Sequence, residues 1–126
     1  AADILRTVRG FSAQGTERPI ISKGNAGIPK YVDGHIHYDG TPELMADYAC
    51  IARDAGATII GGCCGTQPHH LEIMKEALET RPRNDRPTLE QITNVIGPFS
   101  SESDGTGDQA GGEDAGGRRR SRRRRT

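Results

Sequence analysis

The chain has 126 residues, 33% of them hydrophobic, and its 17 basic and 17 acidic residues cancel to a formal net charge of zero. That is one domain's worth of chain at most. It has no apolar run long enough to span a membrane and no basic-then-apolar start of a signal peptide, so a cytoplasmic location is expected. The neutrality hides an asymmetry: seven basic residues are Arg118, Arg119, Arg120, Arg122, Arg123, Arg124 and Arg125, and the chain without them is net acidic.

Taken in order, Ile4, Leu5, Val8 and Phe11 fall at helical spacing and predict a helix from residue 2 to about 10. The chain opens inside that helix with no N-cap and no Met, which reads as truncation, though removal of the initiator would look the same. Residues 14–18 form a turn, and residues 19–23 read as a short buried strand. The segment 24–29 carries two Gly and a Pro and is a loop. Residues 30–40 continue irregularly, with a brief extended stretch at His35-Ile36-His37.

A second helix begins at Thr41, an N-cap candidate followed by Pro42 at the first helical position. Leu44, Tyr48, Ile51, Ala52 and Ala55 share one face of it, and Gly56 closes it in the left-handed manner. Residues 57–60 are a β-rich apolar strand that runs into Gly61-Gly62-Cys63-Cys64-Gly65-Thr66. Pro68 starts a third helix with Leu71, Met74, Ala77 and Leu78 inward. Thr88 and Gln91 have capping-box spacing and predict a short helix through Ile96. From about Gly97, Ser, Gly, Asp and Glu dominate before the Arg run, and nothing there is expected to fold.

Strands alternating with helices argue for an α/β fold built of parallel βα units. Such folds place their chemistry in the loops after the strands, which is where the unusual residues lie. Cys63 and Cys64 stand at a strand end, framed by glycines that allow a ligand to approach the backbone closely. An odd number of cysteines that includes a vicinal pair is a poor disulfide framework, so reduced thiols are expected. Adjacent sulfurs repel once ionised, and a bound cation relieves that repulsion. Zinc suits two thiolates and cannot oxidise a thiol substrate, but it needs a third protein ligand from elsewhere. Two small buried residues are the bland alternative for such a pair.

The hexapeptide at 61–66, followed by a Pro-initiated helix, resembles the zinc motif of homocysteine S-methyltransferases. Lys23-Gly24-Asn25-Ala26-Gly27-Ile28-Pro29 resembles that family's Asn-Ala-Gly loop, and Asp39-Gly40-Thr41-Pro42-Glu43-Leu44-Met45 the start of its next helix. The resemblance covers residues 1–78 and is closest to the bacterial betaine-homocysteine branch. It implies a (β/α)8 TIM barrel of which this chain is the C-terminal part, with the last two βα units in residues 1–80. Residues 81–97 would then be a short helical extension and residues 98–126 a disordered tail, first acidic and then Arg-rich.

The resemblance further implies Zn2+ held by three cysteines. Cys63 and Cys64 match two of them; the third, in an Asn-Cys-Gly motif on an earlier strand, has no counterpart here. The implied reaction is methyl transfer to the sulfur of homocysteine, giving methionine, with betaine as the expected donor and S-methylmethionine or a methyl-corrinoid as alternatives.

Other residues weigh less. Cys50 lies about 200° around the helix from Tyr48, away from the apolar face, and reads as a bystander. His35 and His37 share a strand face but read as solvated, and His69 and His70 read as surface. Asn25 either contacts substrate or holds its loop through a side-chain turn, with the structural role preferred. Thiol redox chemistry is disfavoured because the pair lacks the two-residue spacer of thioredoxin-like sites.

The Arg run would neutralise phosphates. No base-reading element accompanies it, however, and an acidic stretch at 102–114 adjoins it, so nucleic acid is not an expected partner. Alone, the chain is expected to be inactive, since a closed barrel takes ~250 residues.

Overall fold

The computed structural model describes residues 1–27 and 29–100. The expected tail therefore lies outside the described residues, apart from its first three positions. The elements run α1 (Ala2–Ala13), β1 (Ile21–Gly24), β2 (Lys30–Val32), β3 (His35–His37), α2 (Pro42–Ala55), β4 (Ile59–Gly62), α3 (Pro68–Thr80) and α4 (Leu89–Val95). The fold is mixed α/β.

The strands β1 and β4 pair in parallel, Ile21 opposite Ile59 through Gly24 opposite Gly62, and α2 is the crossover between them. A parallel pair needs such a connection, because a tight turn can only reverse the chain. The start of α2 is built as its sequence dictates: the Thr41 hydroxyl accepts from the Leu44 N–H at 3.1 Å, and Pro42 needs no partner for a missing N–H. Gly56 ends it at φ +115°, where a side chain would be strained.

The core gathers Leu5 and Val8 of α1, Met45, Tyr48 and Ala52 of α2, Met74 of α3 and Ile92 of α4. On α1, Leu5 and Val8 are buried as expected, whereas Ile4 and Phe11 remain exposed. On α3, Met74 and Ala77 are buried while Leu71 stays out. Cys50 corrects its reading as a bystander away from the apolar face. It is buried with Ala46 and Ala77 in a second, smaller cluster, because α2 is covered on two sides, by the core and by α3.

The first strand begins two residues later than expected and is buried on one face only. Ser22 and Gly24 face the helices, while Ile21 and Lys23 are exposed. The inward Ser22 is tolerated because its hydroxyl shares a hydrogen bond of 2.5 Å with that of Tyr48. Burial of a hydroxyl otherwise costs free energy. On the opposite face Ile21 and Ile59, in register with each other, are 60% and 52% exposed.

The segment expected to be irregular is an antiparallel hairpin, β2 with β3. Its loop is Asp33-Gly34, at φ +50° and +81°. Asp-Gly with both residues left-handed is a strong two-residue hairpin signal, and it was present in the sequence. Lys30 and Asp39 close the base at 2.8 Å; both are exposed, so the pair adds little stability.

The stretch after α3 is stapled by Arg53, whose guanidinium donates to the carbonyls of Leu78, Arg81 and Pro82 at 3.3, 3.0 and 2.9 Å. Capping of α4 follows the expectation: Thr88 and Gln91 each accept from the other's N–H. The chain past Gly97 does not simply leave the surface. Phe99 is half-buried with the Arg6 guanidinium 4.2 Å from its ring centre, and the Ser100 N–H donates to Asp3 at 3.0 Å. A lone aromatic ring in a polar tail can still cover apolar surface, which composition alone did not indicate. Among the described residues no helix is long and apolar enough to cross a membrane.

Candidate functional site

The parallel register brings the two loops that follow β1 and β4 to the same edge of the sheet. The ladder continues into them. The Cys63 N–H donates to the Gly24 carbonyl at 3.0 Å, and the Cys64 N–H to Asn25 Oδ1 at 3.2 Å. The Ala26 N–H returns to the Cys64 carbonyl at 2.9 Å. The Asn25 side chain thus holds the opposite loop rather than making the expected side-chain turn in its own, where the Gly27 N–H donates to the Asn25 main-chain carbonyl at 2.8 Å.

Both Cys63 and Cys64 are exposed and unbridged, with their sulfurs 3.9 Å apart. That spacing is far beyond an S–S bond of about 2.05 Å. The pair presents two soft donors to solvent at the mouth of the sheet. The turn beyond them is tight: the Thr66 N–H donates to the Cys63 carbonyl at 3.1 Å. Gly65 has φ +77°, and the space a Cβ would take there is filled by the ring of Tyr38. The Thr66 side chain lies where a Cβ on Gly62 would be. Its hydroxyl is buried without a hydrogen-bond partner among the described residues.

Two residues at this edge escaped the sequence reading. Tyr38 is half-buried, with its ring packed over Gly65. Burial first, and then the Cys64 and Cys63 sulfurs, push its ionisation above the usual tyrosine range. Its placement depends on the hairpin, which was itself not foreseen.

The second is His70, expected on the surface with His69. His69 is indeed exposed. His70 instead accepts at Nδ1 from the Gln67 N–H, 3.0 Å away, while Nε2 lies 2.9 Å from the Gly40 carbonyl. With Nδ1 accepting, Nε2 carries the proton and donates. At the third position of a helix a side chain reaches back to the cap residue's N–H. Gln-x-x-His is not the usual Ser/Thr-x-x-Glu spelling of that box, so the signal was missed.

His35 and His37 are exposed on the hairpin. Cys50 lies in the α2–α3 contact, beside Arg81. Among the described residues no three His, Cys, Asp or Glu side chains form a group that could hold a metal ion.

Residues 1–78 match the family model described as homocysteine S-methyltransferase. The chain belongs to that family. The matched span contains β1 to β4 and all of α3 but its last two residues. The chain is also 28% identical over 91 residues to the methionine synthase of Mycobacterium tuberculosis, covering 68% of this chain and 8% of that protein. It therefore spans less than a tenth of the length of this relative.

Proposed function

We propose that this chain is the metal-holding end of a zinc-dependent homocysteine S-methyltransferase, with Cys63 and Cys64 as two of three zinc ligands. The observation that carries the reading is the sulfur pair itself, exposed at the end of β4 with its members 3.9 Å apart. Two thiolates bound at ~2.3 Å to one tetrahedral zinc stand about 3.8 Å apart. The donor set therefore fits half of a thiolate zinc site without rearrangement. The third ligand would be the cysteine that the motif resemblance places on an earlier strand of a longer polypeptide.

The barrel is part of the same reading. Among the described residues β1 and β4 pair only with each other, so each has an open edge. An isolated two-strand sheet is a poor stopping point. Ile21 and Ile59 lie bare on the face away from the helices, as residues facing the interior of a (β/α)8 barrel would once the other strands are added. The sulfurs would then sit at the barrel's C-terminal mouth, where such enzymes place their chemistry.

Zinc, when bound, lowers the proton affinity of a thiol at its open position and keeps the sulfur nucleophilic at neutral pH. This chain's residues hold the donors. Gly24, Asn25 and Ala26 fix the main chain of both cysteines, Gly65 permits the turn, and His70 ties the start of α3 to Gly40. The net reaction moves a methyl group from an activated donor to homocysteine sulfur, which loses its proton and becomes the thioether of methionine. Betaine is the proposed donor on the motif resemblance; S-methylmethionine and a methyl-corrinoid are the alternatives the same pair would serve.

The test is metal analysis and turnover of the full-length enzyme. One zinc per chain is expected, with methionine formed from homocysteine and one of the three donors. Cys63→Ser or Cys64→Ser should abolish both. An enzyme that keeps stoichiometric zinc after both replacements would overturn the assignment.

A further inference from the structure

Cys64 is flanked by the Asn25 loop on one side and by the turn into α3 on the other. Four hydrogen bonds join those two sides into a closed circuit. The Gln67 N–H donates to His70 Nδ1 at 3.0 Å, and His70 Nε2 donates to the Gly40 carbonyl at 2.9 Å. The Gly40 N–H then donates to the Ala26 carbonyl at 2.9 Å, and the Ala26 N–H to the Cys64 carbonyl at 2.9 Å. From Cys64 the main chain returns through Gly65 and Thr66 to Gln67. Every donor points the same way around this ring, so each bond polarises the next. The circuit also demands a bare Gly40, where a Cβ would stand 2.6 Å from the Ala26 carbonyl oxygen. His70 is the one side chain among these four bonds; the other two links are main chain to main chain.

We propose that His70 is a positioning residue for the Cys64 sulfur, tying the far end of the cysteine turn to the loop that holds its near end. The inference rests on the zinc reading above. A cysteine has one torsion between its main chain and its sulfur, so the sulfur goes where the main chain is held. The main chain after Cys64 passes through Gly65 at φ +77°, the residue type with the most backbone freedom. Closing the circuit removes that freedom. A neutral imidazole suits the task, because one rigid ring accepts at one nitrogen and donates at the other. The bond from Gln67 alone would be a helix cap, which Glu or Gln at the same helical position also makes. The bond to Gly40 is what turns the cap into a brace for Cys64.

The test compares His70→Glu with His70→Gln in the full-length enzyme. Both replacements can accept from the Gln67 N–H, as Gln91 accepts from Thr88 at the start of α4. Only Gln can also donate to Gly40. Hydrogen exchange of the peptide spanning 63–70, measured without metal, checks that the cap is kept in each. Zinc affinity, measured by competition with a chromophoric chelator, should fall about tenfold in His70→Glu, the lower end of the range for groups that orient metal ligands. In His70→Gln it should stay close to the wild-type value. That split supports the proposal, since a residue that only capped α3 would be replaced equally well by either. Wild-type affinity in His70→Glu overturns it, and so does an equal loss in both variants, which would trace to the ring and not to its two bonds. A wild-type enzyme that holds no zinc overturns the zinc reading and this inference together, whereas zinc held equally by wild type and His70→Glu overturns only this one.

Discussion

The Asn25 side-chain oxygen accepts the N–H of Cys64 across the two loops at 3.2 Å. Among the described residues it is the one side chain that reaches the main chain of the cysteine pair from the neighbouring strand's loop; the other two links there are main chain to main chain. Asn25→Ala should therefore loosen Cys64 while leaving the β1–β4 ladder intact. The expected result in the full-length enzyme is a fall in zinc affinity of about tenfold, in line with other groups that orient metal ligands. Thermal stability should drop only slightly. Chelator competition and a melting curve on the same variant separate the two effects.

The hydrogen bond between Ser22 and Tyr48 makes a stability prediction. Tyr48→Phe leaves the wholly buried Ser22 hydroxyl unpaired, which should cost roughly 1–3 kcal/mol in urea unfolding. Adding Ser22→Ala should recover part of that loss, because removing both partners leaves nothing unsatisfied.

The same residue also makes stability depend on pH. Burial, the dominant cause, raises the Tyr48 ionisation above the ordinary value of 10.0, and the bonds to Ser22 and Gly24 only partly oppose it. The folded state therefore holds this proton more tightly than the unfolded state. Its contribution is complete below about pH 10 and is lost as the pH rises past that value. The difference in unfolding free energy between wild type and Tyr48→Phe should shrink at alkaline pH; a constant difference would contradict the assignment.

His70 joins two segments that hold the site, Gly40 beside the Asn25 loop and Gln67 at the start of α3. Replacing it with Phe keeps a ring but removes both bonds, at a net cost of about 1 kcal/mol each. The amide of Gln67 should then exchange with solvent about fivefold faster, the equivalent of one such hydrogen bond. Hydrogen-exchange mass spectrometry of the peptide spanning 63–70 reads this directly, and unchanged exchange there would rule out the bridge.

The isolated 126-residue chain should retain less than one zinc after gel filtration. Only two thiols stand together, and among the described residues both strands of the parallel pair have open edges. One tightly held zinc per monomer would mean that two cysteines and solvent suffice.

Much of the framework could be read directly from residue order. Thr41, Pro42 and Gly56 bound α2, and Thr88 with Gln91 start α4, because capping is chemistry among near neighbours in the chain. The hairpin was equally local, but its Asp33-Gly34 turn lay inside a segment rich in mixed residues and was passed over. Burial followed the pattern less faithfully. Ile4 and Phe11 remain exposed, since periodicity shows that a helix has an apolar face but not how much of that face a neighbour covers.

Sequence by itself determined the family motif, the cysteine pair at a strand end and the helix caps, all features carried by contiguous residues. Only the tertiary structure decided that Asn25 grips Cys64, that the Tyr38 ring packs over a bare Gly65, that His70 bridges two loops, and that Cys50 is packed between helices. Each of those relationships joins residues distant in the chain or facing different elements. Their distances follow from the parallel register of β1 with β4 and the packing of α2 on α3, which no local pattern encodes.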